Sequence, residues 1–428
     1  MAYLPGPRSD IEKKEMANGL VLISEVMPCL HSVSVGLWVT SGSRFEAAAL
    51  GGISHFIEHL LFKGTASRSA GEIAREIDSV GGQLDAFTDK EFVCAYARVM
   101  DRHLPVAFEI LSDIVLNPAF PPVEVKRERN VVFEEINALE DSPQDLVHDL
   151  YLEGLWPDHP LGRPVAGTKD SVAGISRADV VRFFRKHYCA RNMVMSVAGN
   201  IRHPDVRRLA GRYFGELAPG EAADPGPPPR VRPARIIRDK DHLEQVHICL
   251  GTPCPALTSR ARFAAHLLST ILGGGMSSRL FQNIREKRGL VYSIEASLSL
   301  FRDAGTLVVS AAVAPETAAA VVELILKELK KLRENPVSSE ELKRAKDFVT
   351  GAFLLGLESS SSRMTHLAQQ QIYFGRTFTA RETIDHIEGV KAYDIRRLAD
   401  EIFHSAGIML TALGSSRRPE LESVALRI

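Results

Sequence analysis

The sequence predicts an α+β protein made of two related halves, each a mostly antiparallel β-sheet covered by helices. Three observations lead to this expectation. Strand signals precede long helical stretches in both halves, the order of these signals repeats, and a proline-rich segment separates the two copies. The chain of 428 residues is also too long for one ordinary domain, since domains average about 100 to 200 residues.

The first half begins with a strand in which Val33, Val35, Leu37 and Val39 alternate with small or polar residues. The residues after this strand predict helices that cover one face of the sheet. In chain order, the predicted elements are a helix containing Ser54–Leu60, a helix over Ser69–Val80, a turn at Gly81-Gly82, strands within Gln83–Val99 and long helices through Leu146.

The second half repeats this order. In the first copy the landmarks are Arg98-Val99-Met100, a helix over Leu104–Val115, Asn117-Pro118 and a charged helix from about Val123. In the second copy they are Ala311-Ala312-Val313, a helix over Glu316–Leu332, Asn335-Pro336 and a charged helix from about Glu340. We therefore interpret the two halves as diverged copies of one domain.

A segment rich in proline and glycine divides the copies. Such a segment forms neither a helix nor a central strand and favours extended geometry. Its prolines are Pro219, Pro225, Pro227, Pro228, Pro229 and Pro233. The predicted organisation is a first domain over residues 1–217, a linker over 218–234 and a second domain over 235–428.

Composition and charge are those of an ordinary globular protein, with 45% hydrophobic and 25% charged residues. The 52 basic and 53 acidic side chains nearly cancel, so the net charge does not support binding to nucleic acid or to an anionic membrane. None of the five cysteines forms a Cys-x-x-Cys pair, which indicates a reducing compartment. With no signal peptide and no apolar run of about 18 residues, we expect a cytoplasmic protein.

The most informative motif is His55-Phe56-Ile57-Glu58-His59. On a helix, positions four apart lie on one side, so both imidazoles can reach one metal ion, and Glu58 shares that side. A catalytic zinc takes three protein ligands and keeps one position open, and a nearby carboxylate can act as general base. A chance occurrence on a surface helix is the alternative. The segment is largely apolar, however, so its polar side chains need a partner, which a metal would supply.

The helix over Val123–Leu139 offers two candidates for the third ligand. Glu135 shares its face with Val131, Val132 and Leu139, whereas Glu134 lies on a polar face. Periodicity therefore favours Glu135 as the ligand and a solvated Glu134.

Glu128 lies seven residues before Glu135 on the same face, where it could orient a ligand or form an ordinary helix salt bridge. The sequence leaves both roles open. It also leaves other divalent ions open, because two imidazoles and a carboxylate accept several. In the second half, Arg262 and Ala265 stand where a ligand and the general base would be, so we expect one zinc per chain.

These residues resemble the pitrilysin-like (M16) metallopeptidase family, in particular the bacterial enzymes similar to the mitochondrial processing peptidase. The resemblance covers most of the chain. In the first half it rests on Gly42-Ser43-Arg44, Gly52–Leu60, Phe62-Lys63-Gly64-Thr65, Gly81-Gly82, Asp85–Thr88 and Glu128 through Ile136. In the second half it rests on Gly273–Phe281 and Ile284–Tyr292.

The resemblance implies roof-like domains and zinc held by His55, His59 and Glu135, with Glu58 as general base. It implies that Arg285 and Tyr292 bind substrate and steady the tetrahedral intermediate. It also implies that the strand containing Ala86, Phe87 and Thr88 binds substrate as an additional strand. Asp85 departs from the family, whose members often have asparagine there.

We therefore expect a zinc endopeptidase or oligopeptidase that cleaves extended peptides or unfolded precursor segments inside a clamshell chamber. Because both the zinc motif and the arginine and tyrosine occur in one chain, a homodimer with two sites is the simplest assembly. Each site would use Arg285 and Tyr292 of the opposite chain. The alternatives are a non-catalytic core or assembly subunit of the same fold and a processing peptidase that needs a different partner chain.

Overall fold

The computed structural model describes residues 10–415 and 420–428. The strands are β1 (Asp10–Glu15), β2 (Val21–Val26), β3 (Ser32–Val39), β4 (Gln83–Thr88), β5 (Val93–Met100), β6 (Met193–Gly199), β7 (Arg235–Asp239), β8 (Val246–Pro253), β9 (Val291–Leu300), β10 (Gly305–Val313) and β11 (Met409–Gly414).

The helices are α1 (Ile53–Leu61), α2 (Ala70–Ser79), α3 (Leu104–Leu116), α4 (Pro122–Asp141), α5 (Pro143–Leu155), α6 (Lys169–Gly174), α7 (Arg177–His187), α8 (His203–Phe214), α9 (Arg262–Gly273), α10 (Ala318–Glu334), α11 (Ser339–Gly356), α12 (Ser360–Phe374), α13 (Ala380–Gly389), α14 (Ala392–Ile402) and α15 (Glu420–Ser423). A short π-helix spans Phe281–Glu286.

The first unit contains a six-stranded sheet in the order β1-β2-β6-β3-β5-β4. Strands β2 and β6 are parallel, and every other pair in this sheet is antiparallel. The central strands β3 and β6 are buried on both faces. Strand β6 accordingly has a nearly continuous apolar sequence, whereas β3 alternates apolar residues with the small, buried Ser34 and Gly36. Strand β4 lies at one edge of the sheet, next to the helix with the histidine motif.

The second unit repeats this arrangement. Its sheet has the order β7-β11-β8-β10-β9, in which β7 and β11 are parallel and the other pairs antiparallel. Strands β7, β11, β8, β10 and β9 thus correspond to β2, β6, β3, β5 and β4, and β1 has no counterpart among the described strands. The predicted fold class and repeated halves are confirmed.

The two compact units are not continuous in sequence. Residues Leu355–Thr379 belong to the first unit, and residues Asn137–Arg163 belong to the second. Elsewhere the chain passes from the first unit to the second between Gly226 and Pro227, inside the predicted linker. The predicted division into residues 1–217 and 235–428 therefore leaves out two exchanged segments.

Helix α12, which comes from the second half of the sequence, covers a face of the first sheet. It contacts β3 and β6, and its Met364, Leu367 and Ala368 pack with Trp38 and Cys94. The neighbouring residues of β3 point to the opposite face, because side chains alternate along a strand. The expectation of helices on one face only is thus wrong for this sheet. Residues on both faces of β3 are buried, so the sheet is covered on both sides.

Helix α5 has the equivalent role in the second unit. Its Val147, Tyr151 and Leu155 pack with Cys249 on β8 and Met409 on β11. The hydroxyl groups of Tyr151 and Thr306 lie 2.6 Å apart and satisfy each other inside this layer. Helices α9, α10 and α14 cover the opposite face, where Ile248 and Leu250 point.

The first part of the proline-rich segment is held against the first unit by hydrogen bonds. The backbone N–H groups of Ala190 and Arg191 donate to the carbonyl oxygens of Ala218 and Pro219. The buried guanidinium of Arg44 donates through Nε to the carbonyl oxygen of Pro225, at 3.0 Å. No helix among the described residues is both long enough and apolar enough to cross a membrane.

A buried histidine predicts weaker folding in acid. His187 lies 2.8 Å from the hydroxyl of Ser41, and burial, with a smaller effect from Lys186, lowers its pKa from 6.5 to about 4. The unfolded chain takes up this proton at a higher pH than the folded protein does. The stability that depends on His187 is therefore complete above pH 6.5 and is lost as the pH falls through about 4.

At pH 5 this loss should reach about 2 kcal/mol. The measurement is urea unfolding at pH 7 and pH 5 for wild type and for His187→Gln. The difference in unfolding free energy between the two pH values should be about 2 kcal/mol smaller in the variant. His31→Gln, which changes an exposed histidine, should keep the wild-type difference.

Candidate functional site

The start of α1 is fixed by a buried carboxylate. The two oxygens of Glu46 accept hydrogen bonds from the backbone N–H groups of Gly52, at 2.7 Å, and Ser54, at 2.8 Å. N–H groups at a helix N-terminus lack partners within the helix, and negative charge is favourable there. Phe56 and Leu60 are buried on one side of α1. The fixed N-terminus and this buried side together set the rotation of α1 about its own axis, and so the direction in which the histidine motif points.

The turn into α1 requires glycine. Gly52 has φ of 91°, and a Cβ there would lie 2.4 Å from the carbonyl oxygen of Ala166. We expect Gly52→Ala to destabilise the protein through both the backbone conformation and this clash. Gly81 is a matched control, because its φ is 63° and nothing lies within 4 Å of a Cβ built there.

Gly81→Ala should cost about 1–2 kcal/mol for the left-handed conformation alone. Gly52→Ala should cost about 1–3 kcal/mol more because of the overlap. Urea unfolding of both variants measures the difference. Equal losses would show that the contact with Ala166 does not constrain this turn.

Three candidate ligand atoms converge between α1 and α4. Glu135 Oε2 lies 3.4 Å from Nε2 of His55 and 3.4 Å from Nε2 of His59. The ligand atoms of all three residues lie within 4.8 Å of one another, and no other group of three acidic, histidine or cysteine ligands is found in the described part of the chain. The structure thus brings together the residues predicted to bind the metal.

This donor set fits zinc. Bonds of about 2.0–2.1 Å in a tetrahedral site separate ligand atoms by roughly 3.3 Å, close to the observed spacing. Burial, with a further contribution from His59, lowers the pKa of His55 to about 4, which favours the neutral imidazole that binds metals. Two imidazole nitrogens and one carboxylate oxygen would leave a coordination position open, as in catalytic zinc sites.

The acidic residues of α4 are exposed to different extents. Glu134 is exposed, while the side chain of Glu135 is 43% exposed and reaches the histidines. One premise of the periodicity argument was wrong, because Val131 is 41% exposed and does not lie on a buried face. Glu128 is buried, and its Oε2 lies 3.3 Å from Nδ1 of His59. Its other oxygen lies 2.8 Å from Nζ of Lys63, so the ion pair of Glu128 joins α4 to the end of α1 and is not a salt bridge within one helix.

Glu58 lies beside the three candidate ligands and is not part of that group. Its Oε2 accepts a hydrogen bond from the hydroxyl of Thr88 on β4. Burial raises the pKa of Glu58, while the Thr88 hydrogen bond and His59 oppose this effect, and Asp85 and Glu135 add to it. A carboxyl group with a raised pKa is suited to taking up a proton near neutral pH.

Strand β4 presents a free edge next to Glu58. It is the last strand of its sheet, and within the described residues it pairs only with β5. Ala86 is buried, and Phe87 packs edge-on against Trp38 with ring centres 5.6 Å apart. These two side chains are occupied by packing, so an extended peptide added here would meet main-chain N–H and C=O groups.

Arg285 and Tyr292 lie in the second unit and contact each other. Arg285 is in the π-helix, with its guanidinium carbon 4.5 Å from the ring centre of Phe281 and 5.5 Å from that of Tyr292. Tyr292, on β9, is 81% exposed. No carboxylate within the described ranges pairs with Arg285. The pair therefore presents a cation and a phenol to the surroundings.

Sequence reasoning missed three roles in this site. Lys63 contacts Glu128, Glu46 fixes the start of α1, and Thr88 binds Glu58 rather than acting only through its backbone. A lysine just after the motif and an acidic residue before the helix were visible signals. The partners of Lys63 and Thr88 are distant in sequence, so spacing alone does not identify them, whereas those of Glu46 are near.

Comparisons with known proteins identify the family of the chain. The family profile "Insulinase (Peptidase family M16)" matches residues 21–169, and "Peptidase M16 inactive domain" matches residues 174–349. An uncharacterized zinc protease of Mycobacterium leprae is 39% identical, over 91% of this chain and 88% of the relative. One of Bacillus subtilis is 35% identical, over 92% of this chain and 96% of the relative.

A solved structure, a protease from Helicobacter pylori, has a TM-score of 0.90 with 24% identity. The match covers 95% of this chain and 99% of that chain, and this similarity concerns the fold.

Proposed function

The chain belongs to peptidase family M16, and from this premise we propose that it is a zinc-dependent peptidase that hydrolyses bonds in extended peptides. The observation that carries the proposal is the convergence of His55, His59 and Glu135 within 4.8 Å, beside a carboxylate that is not a ligand. When bound, zinc would act as a Lewis acid that polarises a carbonyl group and lowers the pKa of water.

Residues of the protein carry out the proton transfers. Glu58 takes a proton from the water molecule that attacks the scissile carbonyl and then gives it to the leaving amine. The hydroxyl of Thr88 holds Glu58 in place for both transfers. The free edge of β4 binds the peptide through main-chain hydrogen bonds, so this edge imposes little preference on the peptide's sequence.

Removal and return of the metal tests this proposal. The purified full chain should hydrolyse a quenched peptide mixture, lose this activity after treatment with a chelator, and regain it when zinc is added. A fully active chelated protein would contradict a metal-dependent mechanism. A chain without activity even when loaded with zinc would favour a non-catalytic subunit or a peptidase that needs a different partner.

The hydrogen bond from Thr88 to Glu58 predicts how substitutions of Thr88 change the rate of hydrolysis. Thr88→Val keeps the size of the side chain but removes the donor, so Glu58 loses a charge-assisted hydrogen bond. We expect kcat to fall about tenfold, since 1.4 kcal/mol corresponds to one decade in rate. Thr88→Ser keeps a hydroxyl and should retain most of the activity. Equal activity of the valine and serine variants would show that this contact does not serve catalysis.

The same proposal includes a homodimer in which Arg285 and Tyr292 of one chain assist the zinc site of the other. Support comes from the exposed Tyr292 and from Arg285, which lacks a carboxylate partner within the described ranges. Mixing inactive Glu58→Gln chains with inactive Arg285→Ala chains would create one intact site per mixed dimer. Recovered activity is expected, and none in a mixture shown to exchange subunits would contradict shared sites.

A further inference from the structure

The two histidines of the site differ in whether Nδ1 of the ring has a hydrogen-bond partner. Nδ1 of His59 lies 3.3 Å from Oε2 of Glu128, whereas Nδ1 of His55 is buried with no hydrogen-bond partner within the described ranges. A histidine that binds a metal through one nitrogen usually donates a hydrogen bond from the other, which fixes the tautomer and the ring orientation. Of the two histidines, only His59 has such a hydrogen-bond partner, and that partner is the carboxylate of Glu128.

Glu128 is itself held by a cation. Its side chain is 7% exposed, and its Oε1 lies 2.8 Å from Nζ of Lys63. A buried carboxylate is costly unless it is paired, and Lys63 is the only lysine or arginine that pairs with Glu128 in the described part of the chain. The two oxygens thus have separate partners: Oε1 faces Lys63 and Oε2 faces His59.

Lys63 could simply stabilise the C-terminal end of α1, but the position of its side chain does not fit that role. A lysine just beyond a helix commonly stabilises the C-terminal carbonyl groups, and the backbone N–H of Lys63 does donate to the carbonyl oxygen of Leu60. For that role the ammonium could remain in water. Instead the side chain is 31% exposed and ends on a carboxylate of another helix, α4.

We propose that Lys63 is a positioning residue of the metal site. Lys63 holds Glu128 with Oε2 directed at His59, which keeps the ring proton on Nδ1 and leaves Nε2 free to bind the ion. This role rests on the proposed function, because it concerns how firmly the site binds zinc. The chain of contacts runs from Lys63 through Glu128 to His59, and none of its steps requires Lys63 to touch metal or substrate.

The zinc dissociation constant of the full chain, measured by competition with a chromophoric chelator, tests the proposal. Lys63→Met should weaken zinc binding about tenfold, the lower end of the effect seen for outer partners of metal ligands. Lys63→Arg, which keeps a cation, should remain within about threefold of wild type. The matched control is Lys126→Met, because Lys126 is exposed on α4 two residues from Glu128 and forms no ion pair with it in the described part of the chain.

A double variant separates positioning from a general loss of charge. In a Glu128→Gln background, Lys63→Met should weaken zinc binding no further, because the residue through which it acts is already changed. Additive losses would overturn the proposed path. Thermal unfolding of each variant establishes that the compared proteins are folded.

Nitrogen NMR of zinc-free protein labelled at histidine gives a readout that does not involve the metal. Wild type and Lys63→Arg should show His59 protonated at Nδ1, and Lys63→Met should show a mixture of tautomers. If wild type binds zinc and Lys63→Met matches it in both affinity and tautomer, this inference is overturned while the peptidase proposal stands. If wild type itself binds no zinc, the proposed function fails with it.

Discussion

Glu58→Gln should reduce peptide hydrolysis by about 100- to 10,000-fold, the range that general acid–base catalysis supplies. The amide has nearly the same shape as the carboxylate but cannot take a proton from water. Glu58 is not among the three converging ligands, so the variant should still bind zinc. The measurement is kcat on a quenched peptide, together with metal analysis of the same preparation.

The control for this prediction is Asp78→Asn, which neutralises an exposed acidic residue on α2 in the same unit. It should keep wild-type activity. A Glu58→Gln protein that hydrolyses peptide at more than a tenth of the wild-type rate would contradict the assigned role. So would one that loses its zinc, because Glu58 would then be a ligand and not the general base.

Arg363→Met should reduce the unfolding free energy by about 3–5 kcal/mol. Arg363 on α12 donates through Nε to Oε2 of Glu25 on β2, at 2.7 Å, and the two side chains are 6% and 7% exposed. Burial already raises the pKa of Glu25, and Arg363 opposes that effect. Without the guanidinium, the carboxylate is left buried and unpaired, beneath the helix that covers the first sheet.

Two further variants test the physical reason for this loss. The double variant Arg363→Met with Glu25→Leu should recover much of it, because no charge remains buried. Arg202→Met, which breaks an exposed pair with Asp205, should cost much less, because solvent screens an exposed ion pair. If Arg363→Met costs no more than Arg202→Met in urea unfolding, the buried pair does not hold α12 in place.

The convergence of His55, His59 and Glu135 could be predicted from the sequence because the two histidines lie about one helical turn apart and the glutamate was selected by a helical period. His55 and His59 need only α1 to come together. Glu135 was selected by a face argument whose conclusion agrees with the geometry even though Val131 is exposed. Of the three residues that defined this face, Val132 is buried, Leu139 is partly buried and Val131 is exposed.

The partners of Glu58 and Glu128 could not be predicted in this way. Thr88 reaches Glu58 across 30 residues, and Lys63 reaches Glu128 across 65 residues, so these contacts depend on how α1, β4 and α4 pack. The same reason explains why the sequence did not predict that α12 belongs to the first unit and α5 to the second. Local patterns place α12 after α11, but nothing in its own periodicity states that it covers β3 and β6, which lie far back in the chain.

The proposed mechanism requires one zinc ion held by His55, His59 and Glu135. Metal analysis of purified wild type, Glu135→Ala and Glu134→Ala tests this claim, because the two glutamates are neighbours on α4 that differ in whether they reach the histidines. Wild type and Glu134→Ala should each contain about one zinc per chain, and Glu135→Ala should retain little. Equal zinc content in Glu135→Ala and wild type, or loss of zinc from Glu134→Ala, would contradict it.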